Sequence, residues 1–333
     1  MRAIQVSGPS ADFELVHREI PEPGDYEVLI KVEACGVCHG DLIPIEGHFP
    51  GLTYPRVPGH EVIGIVEKTG LRVSSWMPGQ RVGVGWHGGH CFYCSACRSG
   101  DFGACENAKV TGLSMDGGYA EYMIARPEVL ISIPEELDPI AGAPLLCAGR
   151  TVFGALKESR AKGGDLVAIH GLGGLGHLAL QYAAKFGFRP VVLSRGKEKE
   201  ELALKLGAHC YIDTTAADGA KELNKMGGAA VLLCTAPDSK AISSLIGGLA
   251  RRGQAVIVAG VSEMIEVSPL QLLMGERSIR GFAGGSLEET IDFSLRFKIM
   301  PMVEIFSLEE APAAFGKMIS SKVHFRAVLK MGA

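Results

Sequence analysis

The sequence predicts an α/β protein in which a mostly antiparallel β domain precedes a doubly wound parallel sheet. Up to about residue 148, short runs of alternating apolar residues, such as Val28, Ile30 and Val32, are separated by Pro and Gly. From about Thr151 the pattern becomes an apolar strand followed by a helix, repeated several times. Such a repeat is typical of a parallel sheet with helices on both faces.

The individual elements follow from this pattern. In the first part, the predicted strands after the one at Val28 are 61–67, 81–86, 119–124 and 129–133. In the second part they are 166–170, 191–194, 211–213, 231–234 and 255–259. Residues 287–330 break the repeat, with helical segments and a closing strand at 325–329. We therefore expect domains at 1–149 and 150–285, and a tail at 286–333 that returns to the first domain.

Composition narrows the classes of ligand. The chain has 333 residues, a length sufficient for two domains, and its composition, 47% hydrophobic and 21% charged, is ordinary for a globular protein. A formal charge of -4 without long runs of like charge argues against nucleic acid or an anionic membrane as partner. Apolar runs such as 229–236 are far shorter than the roughly 20 residues of a membrane span. No secretory signal follows Met1, so we expect a cytoplasmic protein with small-molecule ligands.

Nine cysteines call for an explanation, because an odd number cannot all pair and a reducing cytosol disfavours disulfides. Four of them, at Cys91, Cys94, Cys97 and Cys105, lie within one short segment. Four thiolates in a closed tetrahedral set are the ligands of a structural zinc, so the 91–105 loop is a predicted zinc site. An iron–sulfur cluster and redox-active CxxC pairs are the alternatives, and they account less well for all four cysteines.

A glycine-rich turn follows the predicted strand 166–170. Its glycines, Gly171, Gly173, Gly174 and Gly176, fit G-x-G-x-x-G, and apolar residues at helical spacing follow. In such a turn Gly171 permits the tight bend, Gly173 lets the backbone approach a pyrophosphate, and Gly176 lets helix and strand pack closely. The sequence therefore predicts a dinucleotide site, with a flexible turn that binds no ligand as the alternative.

The end of the second strand of this domain indicates the coenzyme. An acidic residue there binds the ribose 2′-hydroxyl of NAD and repels the 2′-phosphate of NADP. Here Ser194 holds that position, Arg195 follows, and Lys199 is close in sequence. A hydroxyl and a guanidinium favour a phosphate, so NADP is preferred and NAD remains possible. The alternative is that Arg195 is an ordinary solvated arginine.

Three further segments are dispersed: Cys38-His39-Gly40-Asp41, Gly59-His60-Glu61 and Cys147-Ala148-Gly149. Spacing alone does not connect them. With the four-cysteine loop and the glycine-rich turn in this order, the whole chain resembles the zinc-containing alcohol dehydrogenases of the medium-chain dehydrogenase/reductase superfamily. The resemblance implies a GroES-like catalytic domain, a Rossmann domain, two zinc ions, a small alcohol or aldehyde substrate, and a homodimer or homotetramer.

Residue roles carry over position by position. The resemblance implies that Cys38, His60 and Cys147 hold the catalytic zinc and leave its fourth position open. It also implies that Glu61 approaches the metal during ligand exchange and that Asp41 orients the ligating histidine. Cys35, Cys210 and Cys234 are then expected to be core residues.

Three more roles concern the coenzyme and the proton. By the resemblance, Thr151 lies beside the nicotinamide and Arg326 meets the pyrophosphate. The family's proton relay needs a hydroxyl residue and a histidine where this sequence has Gly40 and Ile43. His39, Glu46 and His48 are nearby substitutes, although His39 is also a candidate for contact with the pyrophosphate.

The leading hypothesis is an NADP-linked alcohol dehydrogenase or aldehyde reductase. A polyol or amino-alcohol dehydrogenase of the same superfamily, or a non-catalytic nucleotide-binding protein of this fold, are the alternatives. Trp86, Phe49 and Leu113 are either pocket or core residues, and the run 279–282 could be a sheet edge that pairs across subunits.

Overall fold

The computed structural model describes residues 1–47, 49, 51–260 and 262–332. The chain divides into two compact units. The first unit comprises Met1–Cys147, Leu287–Leu295 and Met300–Ala333, and the second comprises Ala148–Ser286 and Arg296–Ile299.

Seventeen strands are formed by the described residues. They are β1 (Arg2–Val6), β2 (Phe13–His17), β3 (Val28–Val37), β4 (Val62–Thr69), β5 (Arg81–Val84), β6 (His87–Gly89), β7 (Lys109–Val110), β8 (Tyr122–Ala125), β9 (Ile131–Ser132), β10 (Leu166–His170), β11 (Arg189–Ser194), β12 (Cys210–Asp213), β13 (Ala229–Cys234), β14 (Leu249–Ile257), β15 (Ser278–Gly281), β16 (Val303–Ser307) and β17 (Arg326–Lys330).

The described α-helices are mostly short. They are α1 (Leu42–Glu46), α2 (Ser95–Arg98), α3 (Pro139–Gly142), α4 (Ala148–Lys157), α5 (Gly176–Lys185), α6 (Glu200–Lys205), α7 (Gly219–Lys225), α8 (Ser239–Leu245), α9 (Pro269–Gly275), α10 (Leu287–Phe297) and α11 (Ala311–Ile319). None of them alone has the length and hydrophobicity to cross a membrane, and one bent pair of consecutive segments, Pro139–Leu146 with Ala148–Lys157, meets that criterion only when the two are counted together.

The first unit is built on a mostly antiparallel sheet of seven strands. Its order is β16-β17-β3-β4-β5-β9, and β8 also pairs with β3. The long strand β3 pairs with β8 along its first half and with β17 along its second half. The chain end therefore completes the sheet. Valines and isoleucines from β3 and β4 fill the core of this unit.

Strand β16 differs from the sequence-based expectation, which gave helical segments before the closing strand. It is an edge strand that pairs in parallel with β17 alone. Its two neighbouring apolar residues point to opposite faces, with Ile305 more than half exposed and Phe306 buried, so the apolar alternation that marks a half-buried strand is weak here.

The second unit confirms the predicted doubly wound sheet. Its six strands are all parallel, in the order β12-β11-β10-β13-β14-β15. The chain winds outward in one direction from β10 and in the other from β13, so these two neighbours form the switch point of the sheet. In open parallel sheets, ligands bind at the carboxyl ends of the strands at such a point. The turn after β10 is the glycine-rich turn.

Candidate active site

The first unit brings together the three predicted metal ligands, although they are far apart in sequence. Cys38 follows β3 directly, His60 lies just before β4, and Cys147 follows the 3₁₀ turn Ala143–Leu146. Because β3 and β4 are antiparallel neighbours, the end of one strand and the start of the other meet. One ligand atom from each of these residues and one from Glu61 all lie within 4.8 Å of one another.

The geometry of this group fits a zinc ion. Two sulfurs bound at about 2.3 Å on a tetrahedral metal are separated by about 3.8 Å. The Sγ atoms of Cys38 and Cys147 are 3.7 Å apart, well beyond disulfide distance. The hydrogen bond between the two thiols lowers the pKa of Cys38 well below its ordinary value and raises the pKa of Cys147, so Cys38 is the thiol of this pair that ionises first. The Nε2 atom of His60 is buried and has no hydrogen-bond partner among the described residues, which leaves its lone pair available to a metal.

Asp41 contacts the imidazole of His60. Its carboxylate is buried and lies 3.0 Å from Nδ1 of His60. It also accepts hydrogen bonds from the backbone N–H groups of Cys38 at 2.9 Å and Gly59 at 3.2 Å, and from the hydroxyl of Tyr119 at 2.9 Å. A carboxylate on Nδ1 fixes the ring and leaves Nε2 to bind the metal. Tyr119 was not singled out from the sequence, where it reads as an ordinary strand residue.

Glu61 forms a buried ion pair with Arg326. The Nη2 atom of Arg326 donates to both carboxylate oxygens of Glu61, at 2.5 and 2.7 Å. Arg326 is the first residue of β17, and β17 lies beside β3. A Cβ at Gly36 would lie 1.9 Å from Oε2 of Glu61, so only glycine leaves room for this carboxylate. The contact of Arg326 with a pyrophosphate stays a prediction, whereas its contact with Glu61 was not expected.

The four-cysteine loop also has the geometry of a metal site. The sulfur atoms of Cys91, Cys94, Cys97 and Cys105 all lie within 4.8 Å of one another. The individual separations are 4.0 Å between Cys91 and Cys97, 3.9 Å between Cys94 and Cys105, and 3.7 Å between Cys105 and Cys91. These values are close to the edge of about 3.8 Å expected for a zinc with four thiolates. Backbone N–H groups of Cys94 and Asn107 point at two of the sulfurs, which stabilises thiolates.

In the second unit, the glycine-rich turn connects β10 to α5. Gly171 has a φ of +92°, which only glycine adopts readily, and a Cβ at Gly176 would lie 2.0 Å from the carbonyl oxygen of Gly171. A Cβ at Gly173 would meet nothing within 4 Å, so the backbone there is open to a ligand. The hydroxyl of Thr235, after β13, donates to the carbonyls of His170 and Gly171 and holds the turn at the switch point.

The turn after β11 carries the predicted coenzyme-selecting residues. Ser194 ends the strand, and Arg195 is exposed. Lys199 donates to the carbonyl of Leu172 at 2.9 Å, which links this turn to the glycine-rich turn. Burial, and then the positive charge of Arg195, lower the pKa of Lys199, and the carboxylate of Glu198 opposes this shift. Thr151 lies in the first turn of α4.

Trp86 explains why the family's hydroxyl residue does not fit at position 40. A Cβ at Gly40 would lie 2.9 Å from both Cε1 of His60 and Cζ3 of Trp86. The rings of Trp86 and His60 meet edge to face, with centroids 4.8 Å apart. A serine or threonine would therefore displace one of these rings.

The other residues named for the relay or the pocket are placed as follows. Ile43 is half-buried in α1, while His39 and Glu46 are exposed. His48 lies outside the described residues. Leu113 is a core residue, and Phe49 is half-buried.

Together, a glycine-rich turn at the switch point of a parallel sheet and a three-ligand metal set in a separate β unit define a class: metal-dependent dehydrogenases that use a dinucleotide. Comparison with known protein families agrees with this class. Residues 24–135 match the model of the alcohol dehydrogenase GroES-like domain, and residues 174–297 match that of the zinc-binding dehydrogenase.

Individual proteins are similar over nearly the whole chain. Alcohol dehydrogenase notN of Aspergillus sp. (strain MF297-2) is 44% identical over 314 residues, covering 93% of this chain and 91% of that one. Aldehyde reductase AdhA of Synechocystis sp. is 35% identical over 330 residues, covering 98% and 97%. The crystal structure of the alcohol dehydrogenase of Aeropyrum pernix superposes with a TM-score of 0.90 at 28% identity, covering 99% and 100%. The chain belongs to the zinc-containing alcohol dehydrogenases of the medium-chain dehydrogenase/reductase superfamily and is a nicotinamide-linked oxidoreductase.

Proposed function

We propose that this chain is a zinc-dependent alcohol dehydrogenase or aldehyde reductase that transfers hydride between NADP(H) and a small primary alcohol or aldehyde, and that it holds two zinc ions. The observation that carries this proposal is the convergence of Cys38, His60 and Cys147, with Glu61 beside them, apart from a complete four-cysteine set. A protein that used its metal only for structure would need the second set alone. Three ligands with a free fourth position are typical of catalytic zinc.

Each residue of the set has a task. When bound, the zinc supplies a Lewis acid for the substrate oxygen, and the nicotinamide supplies or accepts the hydride. Asp41 keeps the proton of His60 on Nδ1, so that Nε2 remains a ligand. The two thiolates of Cys38 and Cys147 lower the net positive charge of the site, which favours release of neutral products. Arg326 holds the Glu61 carboxylate beside the set.

Metal analysis together with an activity screen tests this function. Purified protein is expected to contain two zinc ions per chain and to reduce aldehydes or oxidise primary alcohols. Chelation should remove the activity, and added zinc should restore it. One zinc per chain, held by the four cysteines, with no turnover of any alcohol or aldehyde, would contradict the proposal and favour a non-catalytic nucleotide-binding protein.

The preference for NADP rests on the turn after β11. No carboxylate occupies the position of Ser194, and Asp213, on the neighbouring strand, accepts hydrogen bonds from Gly196 and Thr215. Arg195 and Lys199 supply two cations in this turn, whose charge favours a 2′-phosphate, and Glu198 is the carboxylate that acts on Lys199 there. The carbonyl of Gly196 accepts a hydrogen bond from Tyr211, which fixes the turn.

Arg195→Ala is expected to raise the KM for NADPH by about 10- to 100-fold and to leave the KM for NADH nearly unchanged. The reason is that a hydrogen bond to a charged group contributes about 1.5–3 kcal/mol, and only NADPH carries the 2′-phosphate. Steady-state kinetics with both coenzymes provides the measurement. Arg160→Ala, at another exposed arginine of the same unit, is the matched control and should change neither value. Equal changes for both coenzymes would argue against NADP selection by Arg195.

We also propose that the chain is a homo-oligomer that associates through the edge of the second unit. Strand β15 ends the parallel sheet and has β14 as its neighbour on one side only. The helix before it, α9, exposes Leu270, Leu273 and Met274, each by more than 60%. An open strand edge and exposed apolar side chains are each typical of a surface that a second copy covers. Light scattering on the purified chain, with Leu273→Glu as a variant expected to dissociate it, tests the assignment.

A further inference from the structure

The segment 116–119 binds the loop that carries His60. Gly117 donates its backbone N–H to the carbonyl of Val57 at 2.8 Å, and Gly118 donates to the carbonyl of Gly59 at 3.0 Å. Tyr119 donates to the carbonyl of Pro58 at 3.0 Å. Asp116 accepts from the N–H of Val57 at 3.1 Å. Four consecutive residues are therefore hydrogen-bonded to three consecutive residues directly before the ligand.

The close approach of the two segments depends on glycine. A Cβ at Gly117 would lie 2.1 Å from the carbonyl oxygen of Gly59, and a Cβ at Gly118 would lie 2.3 Å from a methyl group of Val62. Gly59 has a φ of +102°, and a Cβ there would lie 2.5 Å from the ring of Tyr119. The close approach of these glycines therefore fixes the position of the Tyr119 ring.

Tyr119 links this packing to the metal set. Its ring is completely buried, and its hydroxyl donates to Oδ2 of Asp41 at 2.9 Å. The other oxygen of Asp41, Oδ1, is the one that lies 3.0 Å from Nδ1 of His60. The carboxylate is thus held from both sides, by the phenol on one oxygen and the imidazole on the other. Burial, and then the charge of Asp41, raise the pKa of Tyr119 well above its ordinary value, so the phenol keeps the proton that it donates.

We propose that Tyr119 is a positioning residue for the metal site, acting through Asp41 on the imidazole of His60. This proposal rests on the proposed function of Cys38, His60 and Cys147. Without the phenol, the described donors to Asp41 are the N–H of Cys38 on Oδ2, the N–H of Gly59 on Oδ1 and the imidazole itself, so the carboxylate loses one of its four contacts and is less firmly held against Nδ1. The imidazole then loses part of the constraint that aims Nε2 at the zinc. Partners of this kind typically change metal affinity or activity by 10- to 100-fold, and a residue one step further out should lie near the lower end.

The test is Tyr119→Phe in the zinc-loaded full chain, because phenylalanine keeps the ring and removes only the hydroxyl. Zinc release to an excess of a coloured chelator is followed with time. Two phases are expected, and the phase of the catalytic set is identified as the one that Cys147→Ser lacks. In Tyr119→Phe that phase should be about tenfold faster, the four-cysteine phase should be unchanged, and kcat should fall while the KM for the coenzyme stays the same. Tyr182→Phe, at another fully buried tyrosine in the second unit, is the matched control and should change neither phase.

Two other outcomes would contradict the proposal. Release rates equal to those of the wild type would show that the phenol does not hold the site. Acceleration of both phases together would show a general loss of stability in place of positioning. Failure of the proposed function is recognised separately, because the wild-type chain itself would then show only the four-cysteine phase and no turnover.

Discussion

Cys147→Ser is expected to lower kcat/KM by about 10³-fold or more while the four-cysteine zinc and the fold remain. A thiolate is the form in which cysteine binds zinc, and a serine hydroxyl at neutral pH supplies no comparable anion. The Lewis acid contributes several kcal/mol to the reaction, and each 1.36 kcal/mol corresponds to a factor of ten in rate. The Sγ atom of Cys147 is 3.7 Å from that of Cys38, so its loss removes one of three ligands.

The measurements for this variant are zinc content and steady-state kinetics side by side. Zinc should fall from two ions per chain to one, and thermal unfolding should change little. Cys210→Ser is the control, because Cys210 is a half-buried thiol on β12, in the second unit, that donates to the carbonyl of Tyr211. It should keep both zinc ions and full activity. Near wild-type activity in Cys147→Ser would rule out a catalytic metal at this set.

The fold class can be predicted from the sequence because apolar residues recur at a different interval in each unit. The second unit repeats strand and helix at regular intervals, and apolar strands such as β10 and β13 are buried on both faces, so they read as continuous apolar runs. Strand β16 was not predicted, because it is short and carries the apolar Ile305 on its exposed face, so it lacks that pattern. Its pairing with β17 depends on tertiary structure, which the local sequence does not encode.

The proposed metal ligands were harder to find from the sequence. Cys38 and Cys147 are 109 residues apart, and no spacing rule joins them. They were connected by resemblance to a family, whereas the four cysteines of the 91–105 loop were readable from spacing alone. The side chains that contact these residues and their neighbours were still harder to predict from the sequence. Tyr119 meets Asp41 across 78 residues, and Arg326 meets Glu61 across 265.

The same argument applies to the missing proton relay. From the sequence, Gly40 is only the absence of a hydroxyl. In the structure, the position is closed by the rings of His60 and Trp86, so the glycine and the tryptophan are complementary. A relay cannot be restored by Gly40→Ser without moving one of these rings.

Arg326→Met is expected to lower the free energy of unfolding of the first unit by about 3–5 kcal/mol, because it leaves the buried carboxylate of Glu61 without its counter-charge. The side chains of Arg326 and Glu61 are 7% and 0% exposed, so water cannot replace the lost partner. Both tryptophans, Trp76 and Trp86, belong to the first unit, so their fluorescence in urea reports on the unfolding of that unit.

Two variants separate the ion pair from other effects of this substitution. Glu61→Met/Arg326→Met removes both charges and should recover most of the lost stability, since replacing a whole buried pair by apolar side chains is often neutral. Arg72→Met breaks the exposed pair of Arg72 and Asp25, at 3.7 Å, and should cost no more than about 1 kcal/mol. If the double variant were as unstable as Arg326→Met, the loss would come from packing of the arginine side chain. A cost below 1 kcal/mol for Arg326→Met would instead show that Glu61 is protonated in the native protein.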